Sequence, residues 1–253
     1  MNLQKAGIAL FLSLGLASLP VNASWLDTLK GIFAGSNSEQ SAAAAPVQLS
    51  SSDFNDALKQ ALALGVERAI NELGKEGGYL QDVTVRIPMP ALLEKTRPVL
   101  QLLGQEQLAD NFEETINRAA EKAIPAGANI FANAIRNMNI ADAKALLNGP
   151  EDAATNYFRQ HTHEQLVAAL LPIVQQNTAA TGVTSAYKNL VNKATALSSG
   201  LLSEEALNLD QYITDKALDG LFLKLAEEEK LIRANPAARS TELLQKVFDS
   251  IGK

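Results

Sequence analysis

Alanine and leucine recur at three-to-four spacing along most of this chain, and that is the period of a helix with one buried face. Ser50-Ser51-Ser52-Asp53 groups residues that cap helix starts. Phe54, Ala57, Leu58, Ala61, Leu62, Ala69, Ile70 and Leu73 follow on one stripe, and Gly74 closes it. Gly77-Gly78 breaks the chain before Tyr79-Leu80 and a stretch from Val83 to Ile87. There alone β-branched residues cluster with alternation, and Pro88 and Pro90 end the run. The pattern predicts a small β-strand or hairpin arm near residues 79–88. Helix resumes from Ala91 to Leu103, divided or kinked by Pro98 and closed by Gly104.

Further helices are predicted over Glu106–Ile124, with a stripe at Leu108, Phe112, Ile116, Ala119 and Ala123, and over Ala126–Met138 and Ala141–Leu147. Pro150 can begin the next, which runs to Gln160. Thr162 and Gln165 make a capping-box signature for a separate helix through Pro172 to Thr178. Ser185–Leu197, Asp210–Ala234 and Thr241–Ile251 complete the count, with a loop at Ser198–Asn208. The expected fold is all-α: a compact bundle of about ten helices with short joints.

Composition adds the compartment. Lys5, an apolar stretch from Ala6 to Leu19 and the small residues of Val21-Asn22-Ala23 read as a cleavable secretory signal, residues 1–23. The stretch is shorter than the roughly 20 residues that cross a bilayer. Absence of cysteine excludes disulfides and a lipid-bearing Cys, so the expectation is a periplasmic protein that is not a lipoprotein. Residues 24–35 form a short amphipathic helix whose Trp25, Leu26, Leu29, Ile32 and Phe33 share a face opposite Asp27 and Lys30. Residues 36–49 are a Ser/Ala-rich linker, and residues 50–253 are the single helical domain. Trp25, Leu29, Ile32 and Phe33 offer weak membrane-surface contact, but folding back on the core is the favoured reading because one Lys attracts little anionic lipid. The formal charge is −6 and no basic stripe exists, which argues against nucleic acid as a partner.

Candidate chemistry is sparse. His161 and His163 diverge by about 200° on a helix and make a poor metal pair, so no metal and no cofactor are expected. No Gly-x-Ser-x-Gly elbow exists, and runs such as Glu227-Glu228-Glu229 read as solvated faces. Asn117, Arg118 and Glu121 interrupt a helix that otherwise buries Ala119 and Ala120. Thr155, Tyr157 and Arg159 surround Phe158. With Arg86, Asp142, Glu229 and Arg233, these polar residues are the pocket candidates; partnered packing inside the bundle is the competing account.

Several phrases recur in a telling order. They are Val85-Arg86-Ile87-Pro88-Met89-Pro90, Asn117-Arg118-Ala119-Ala120-Glu121, and Asp142-Ala143-Lys144 with Gly149-Pro150. After these come Ala153-Ala154-Thr155-Asn156-Tyr157-Phe158-Arg159, Lys216-Ala217-Leu218-Asp219-Gly220-Leu221-Phe222, and Glu228-Glu229-Lys230-Leu231-Ile232-Arg233. Over residues 52–252 the chain resembles a bacterial family catalogued as domain of unknown function 4197. That resemblance implies an exported helical protein and no particular activity or cofactor. The first functional expectation is binding of a protein partner or a small ligand. The alternatives are an enzyme using a carboxylate from Glu121, Asp142, Asp152 or Glu229 with an Arg clamp from Arg118, Arg159 or Arg233, and a peripheral membrane protein held by the 25–33 helix.

Overall fold

Eight α-helices form among the described residues of the computed structural model, which are 51–95, 97–104, 106–182, 185–186 and 208–234. They are α1 (Ser51–Gly74), α2 (Ala91–Glu94), α3 (Arg97–Leu102), α4 (Glu106–Ala123), α5 (Ala128–Asn137), α6 (Ile140–Leu147), α7 (Ala153–Ala180) and α8 (Leu209–Ala234), with a 3-10 turn at Ile124–Gly127 between α4 and α5. Six of these have eight residues or more. The expected leader, Trp25 helix and linker lie outside the described residues, as do the helix expected at Thr241–Ile251 and all but residues 185–186 of that expected at Ser185–Leu197.

The all-α class is correct; two finer expectations are not. The count of about ten falls to six long helices and two short ones within the described residues, partly because two expected helices are one. Thr162 does not cap anything: it is buried inside α7 and its Oγ1 donates to the Phe158 carbonyl at 2.7 Å. A hydroxyl satisfied one turn back leaves no reason for the helix to restart. α7 therefore runs unbroken through Pro172.

The second correction concerns the arm. No strand forms at residues 79–88 or elsewhere among the described residues. Residues 76–81 and 83–85 are turns, and the chain has no regular secondary structure from Arg86 to Pro90. The β-branched residues Val83, Thr84 and Val85 fall in turns, and the neighbours are helices, so amides of this segment must find side chains instead.

The core follows the predicted stripes. Ala57, Ala61, Val66, Ala69, Ile70 and Leu73 bury one face of α1. Leu108, predicted at the head of the α4 stripe, is 58% exposed, and burial there begins with Ala109 and continues through Ile116, Ala119 and Ala120. α7 and α8 pack along each other, α1 crosses α8, and α4 lies against α7. Phe131 of α5 stands at the centre, edge-on to Phe158 at 5.3 Å and to Phe222 at 6.4 Å. Such edge-to-face pairs add about 0.5–1.5 kcal/mol beyond burial. No helix among the described residues is long and apolar enough to cross a membrane.

Candidate functional site

The segment of residues 75–90 joins α1 to α2 as a strap over α4 and α8. Its back is held by two residues that interrupt the alanine stripe of α4. Asn117, fully buried, accepts from the Ile87 amide at 2.8 Å and donates to the Ile87 carbonyl at 2.9 Å. A side-chain amide thus takes the place of a neighbouring strand. Glu121, 3% exposed, accepts from the Tyr79 and Leu80 amides through one oxygen, each at 3.1 Å. Its second oxygen takes Arg118 Nη1 at 2.9 Å, and Arg118 extends to Glu76 and Glu114.

From α8 come further ties. Tyr79, fully buried, donates its hydroxyl to the Ala217 carbonyl; burial first, then the nearby Glu121 charge, raises its pKa well above the usual phenolic value. Tyr212 donates to the Pro88 carbonyl at 3.0 Å. Lys224 reaches Asp82 at 2.7 Å and Glu227 at 2.9 Å. Burial alone would lower the Lys224 pKa, but hydrogen bonds to those carboxylates raise it above the ordinary lysine value. In return Lys224, then Thr84, holds the Asp82 carboxyl down to about 2. Gly220 is the point of closest approach: a Cβ there would stand 2.8 Å from Tyr79 Cε1 and 3.2 Å from Val85 Cβ.

A second buried pair fastens the corner between α6 and α7. Glu229 accepts from the Ala154 and Thr155 amides at 3.0 and 2.9 Å and from the Thr155 hydroxyl at 3.0 Å. It thereby caps α7, whose own Asp152 makes no side-chain cap. Arg233, one turn further along α8, pairs with Glu229 at 2.9 Å and donates to the Leu146 carbonyl at 2.8 Å, which finishes α6. The two side chains serve opposite helix ends, as the helix dipole favours.

Between the front of the strap, the start of α7 and the middle of α8 lies a cleft of about 540 Å³. The strap contributes Thr84, Arg86 and Pro88; α7 and its first turn contribute Asp152, Thr155, Asn156 and Arg159. α8 contributes Lys216, Asp219, Phe222 and Leu223. Arg159 lies over the Phe222 ring at 4.4 Å and pairs with Asp219 at 3.6 Å. Lys216 reaches the other Asp219 oxygen at 3.3 Å. Arg86 leans along the strap, donating to the Leu80 carbonyl at 2.7 Å, with Glu113 at 3.9 Å. Three cations and two carboxylates line the cleft, with Glu113 beside Arg86 as a third carboxylate.

The predicted site residues therefore divide. Arg86, Thr155 and Arg159 meet in the cleft. Asn117, Arg118 and Glu121 sit behind the strap and hold its wall, while Glu229 and Arg233 hold the start of the α7 wall. Asp142 closes a capping box with Asn139 at the start of α6 and takes no part in the cleft. Asp152, named in the sequence only as an alternative acid, also lines the cleft, and sequence reading missed Asn156, Lys216, Asp219 and Phe222 as site residues. Among the described residues no group of three or more His, Cys, Asp or Glu could hold a metal ion.

A family model described as "Protein of unknown function (DUF4197)" matches residues 48–249. The chain belongs to that family. No curated protein and no solved structure matches it. Three of the stretches singled out in the sequence supply most of the cleft: residues 85–90, 153–159 and 216–222. Two others, 117–121 and 228–233, supply the buried side chains that fix its walls.

Proposed function

We propose that this is an exported binding protein of the cell envelope whose ligand site is the cleft between the strap, α7 and α8. One observation carries the reading: three phrases far apart in the chain meet around about 540 Å³ of open space, within the usual range of ligand pockets. The charges lining it are shared and half exposed, as suits groups that exchange partners. The leader-like start of the sequence supports the envelope compartment. Binding suits the geometry better than acid–base chemistry. Glu121 and Glu229 are committed to backbone amides, and Asp142 to its capping box, which leaves Asp152 as the sole member of the proposed acid set in the cleft.

The test is an unbiased fragment screen on the full-length protein by ¹H–¹⁵N NMR, using anionic, neutral and cationic fragments. Shifts are expected to gather at Thr84, Arg86, Asn156, Arg159 and Leu223. A panel that shifts only residues outside the cleft, or none at all, would refute the proposal. Export is tested separately by fractionation: product confined to the cytosol with its leader attached removes the envelope assignment.

A further inference from the structure

We infer that Asp219 is an internal stand-in for a carboxylate on the ligand, so that the cleft takes a monoanionic carboxylic acid in exchange for its own carboxylate. The inference rests on the cleft being the ligand site. Arg159 of α7 and Lys216 of α8 converge on Asp219, each on a different oxygen, at 3.6 and 3.3 Å. Two cations from two helices thus already form a two-point receptor for a carboxylate, and the chain fills it with its own. The filling is loose. Side-chain exposures of 45% for Arg159, 44% for Lys216 and 56% for Asp219 place both pairs in solvent, where such contacts are weak and readily exchanged.

The partners differ in how firmly they are held. Phe222 lies under the Arg159 guanidinium at 4.4 Å and is itself buried, so a cation–π contact keeps that cation in place when its partner leaves. Among the described residues Asp219 meets its two cations, and its short side chain has other staggered positions to adopt. The strap adds Arg86, accompanied by Glu113 at 3.9 Å, and the first turn of α7 adds Asp152; at the fork itself two cations share one carboxylate, which leaves that point one charge positive and suits a single negative charge on the ligand. Leu223, 40% exposed at the edge, supplies an apolar contact beside the charged fork.

N-acetyl-leucine is a suitable probe because it carries one carboxylate and one aliphatic group. Its methyl ester and inorganic phosphate serve as comparators, titrated by NMR at low salt into the full-length protein. The acid is expected to shift cleft residues and the ester to leave them unmoved. Asp219→Asn, which keeps shape and removes the competing charge, should tighten the acid by about five- to tenfold. Arg159→Ala and Lys216→Ala should each weaken it by a similar factor, with unchanged melting temperature for Asp219→Asn. Equal or weaker binding by Asp219→Asn overturns the stand-in, as does an ester that binds like the acid. Phosphate outcompeting the acid would overturn the carboxylate class. Silence of both wild type and Asp219→Asn toward all three probes also ends this inference; the cleft reading falls only if the unbiased screen is silent there too.

Discussion

Behind the strap, Asn117 and Glu121 are almost wholly buried, and the contacts that place them run to backbone groups of Tyr79, Leu80 and Ile87. In front of it, Arg159, Lys216 and Asp219 are each about half exposed and meet one another and Phe222 through their side chains. Both sides use polar residues of similar kind. The difference is what each would leave behind if removed: a dry amide on one side, a hydrated ion on the other. A buried donor without a partner keeps its full desolvation cost, whereas water replaces the partner of an exposed one. The back should therefore govern stability and the front should govern binding.

Glu121→Ala is the most severe way to test that division. It strands two backbone amides and takes one of three carboxylates from Arg118, and should cost about 3–5 kcal/mol in urea unfolding. Hydrogen exchange at Tyr79 and Leu80 should rise before global unfolding. Asn117→Leu removes the partner of both Ile87 backbone groups and should cost about 2–3 kcal/mol by the same measurement. A loss under half a kcal/mol in either variant would erase the contrast.

Gly220→Ala probes the seam between the two sides. Helix propensity alone favours alanine by about 1 kcal/mol, but the added methyl meets the rigid, buried Tyr79 ring at 2.8 Å. Overpacking should win, with a net loss of about 1–2 kcal/mol and altered cleft shifts at Thr84 and Arg86. A stabilised variant would show that the strap yields freely.

Acid titration sharpens the comparison further. The Asp82 carboxyl is held at about 2, below its unfolded value, so its ion pair stabilises the fold above about pH 4 and is lost as pH falls toward 2. Because the pair is partly solvated, the contribution is on the order of 1 kcal/mol. Lys224→Met should remove that part of the acid dependence, seen as a smaller difference in unfolding free energy between pH 5 and pH 2. An unchanged difference would locate the acid sensitivity elsewhere. The smallest effect belongs to the front. Arg159→Ala should cost about 0.5–1 kcal/mol of stability, through its ring contact, while abolishing most binding.

The stripes made most of the helices legible, since Ala and Leu at three-to-four spacing leave little else to form. α8 was placed to within a residue of its observed start. Asn117 and Glu121 stood out as polar breaks in a buried face, but their partners are backbone groups 30 to 42 residues away, which no local pattern encodes. The strap departs from the expected arm for a related reason: β-branched residues, here largely in turns, say nothing of which neighbours meet their backbone groups. Lys216 and Asp219, three apart on one helix, have the spacing of an ordinary surface pair. Only the crossing of α7 over α8 brings Arg159 to them.

The fastening of the α6–α7 corner by Glu229 and Arg233 makes α8 a ruler as well as a wall. One end of the rod is graduated by Lys216, Asp219 and Phe222, the other by the two residues that grip the corner from which α7 sets out. Adding a single residue between Leu223 and Glu228 would turn one end against the other by about 100°. Either the fork would face away from Arg159 or the corner would come loose, so the distance between these marks cannot drift by a residue without dismantling one of them.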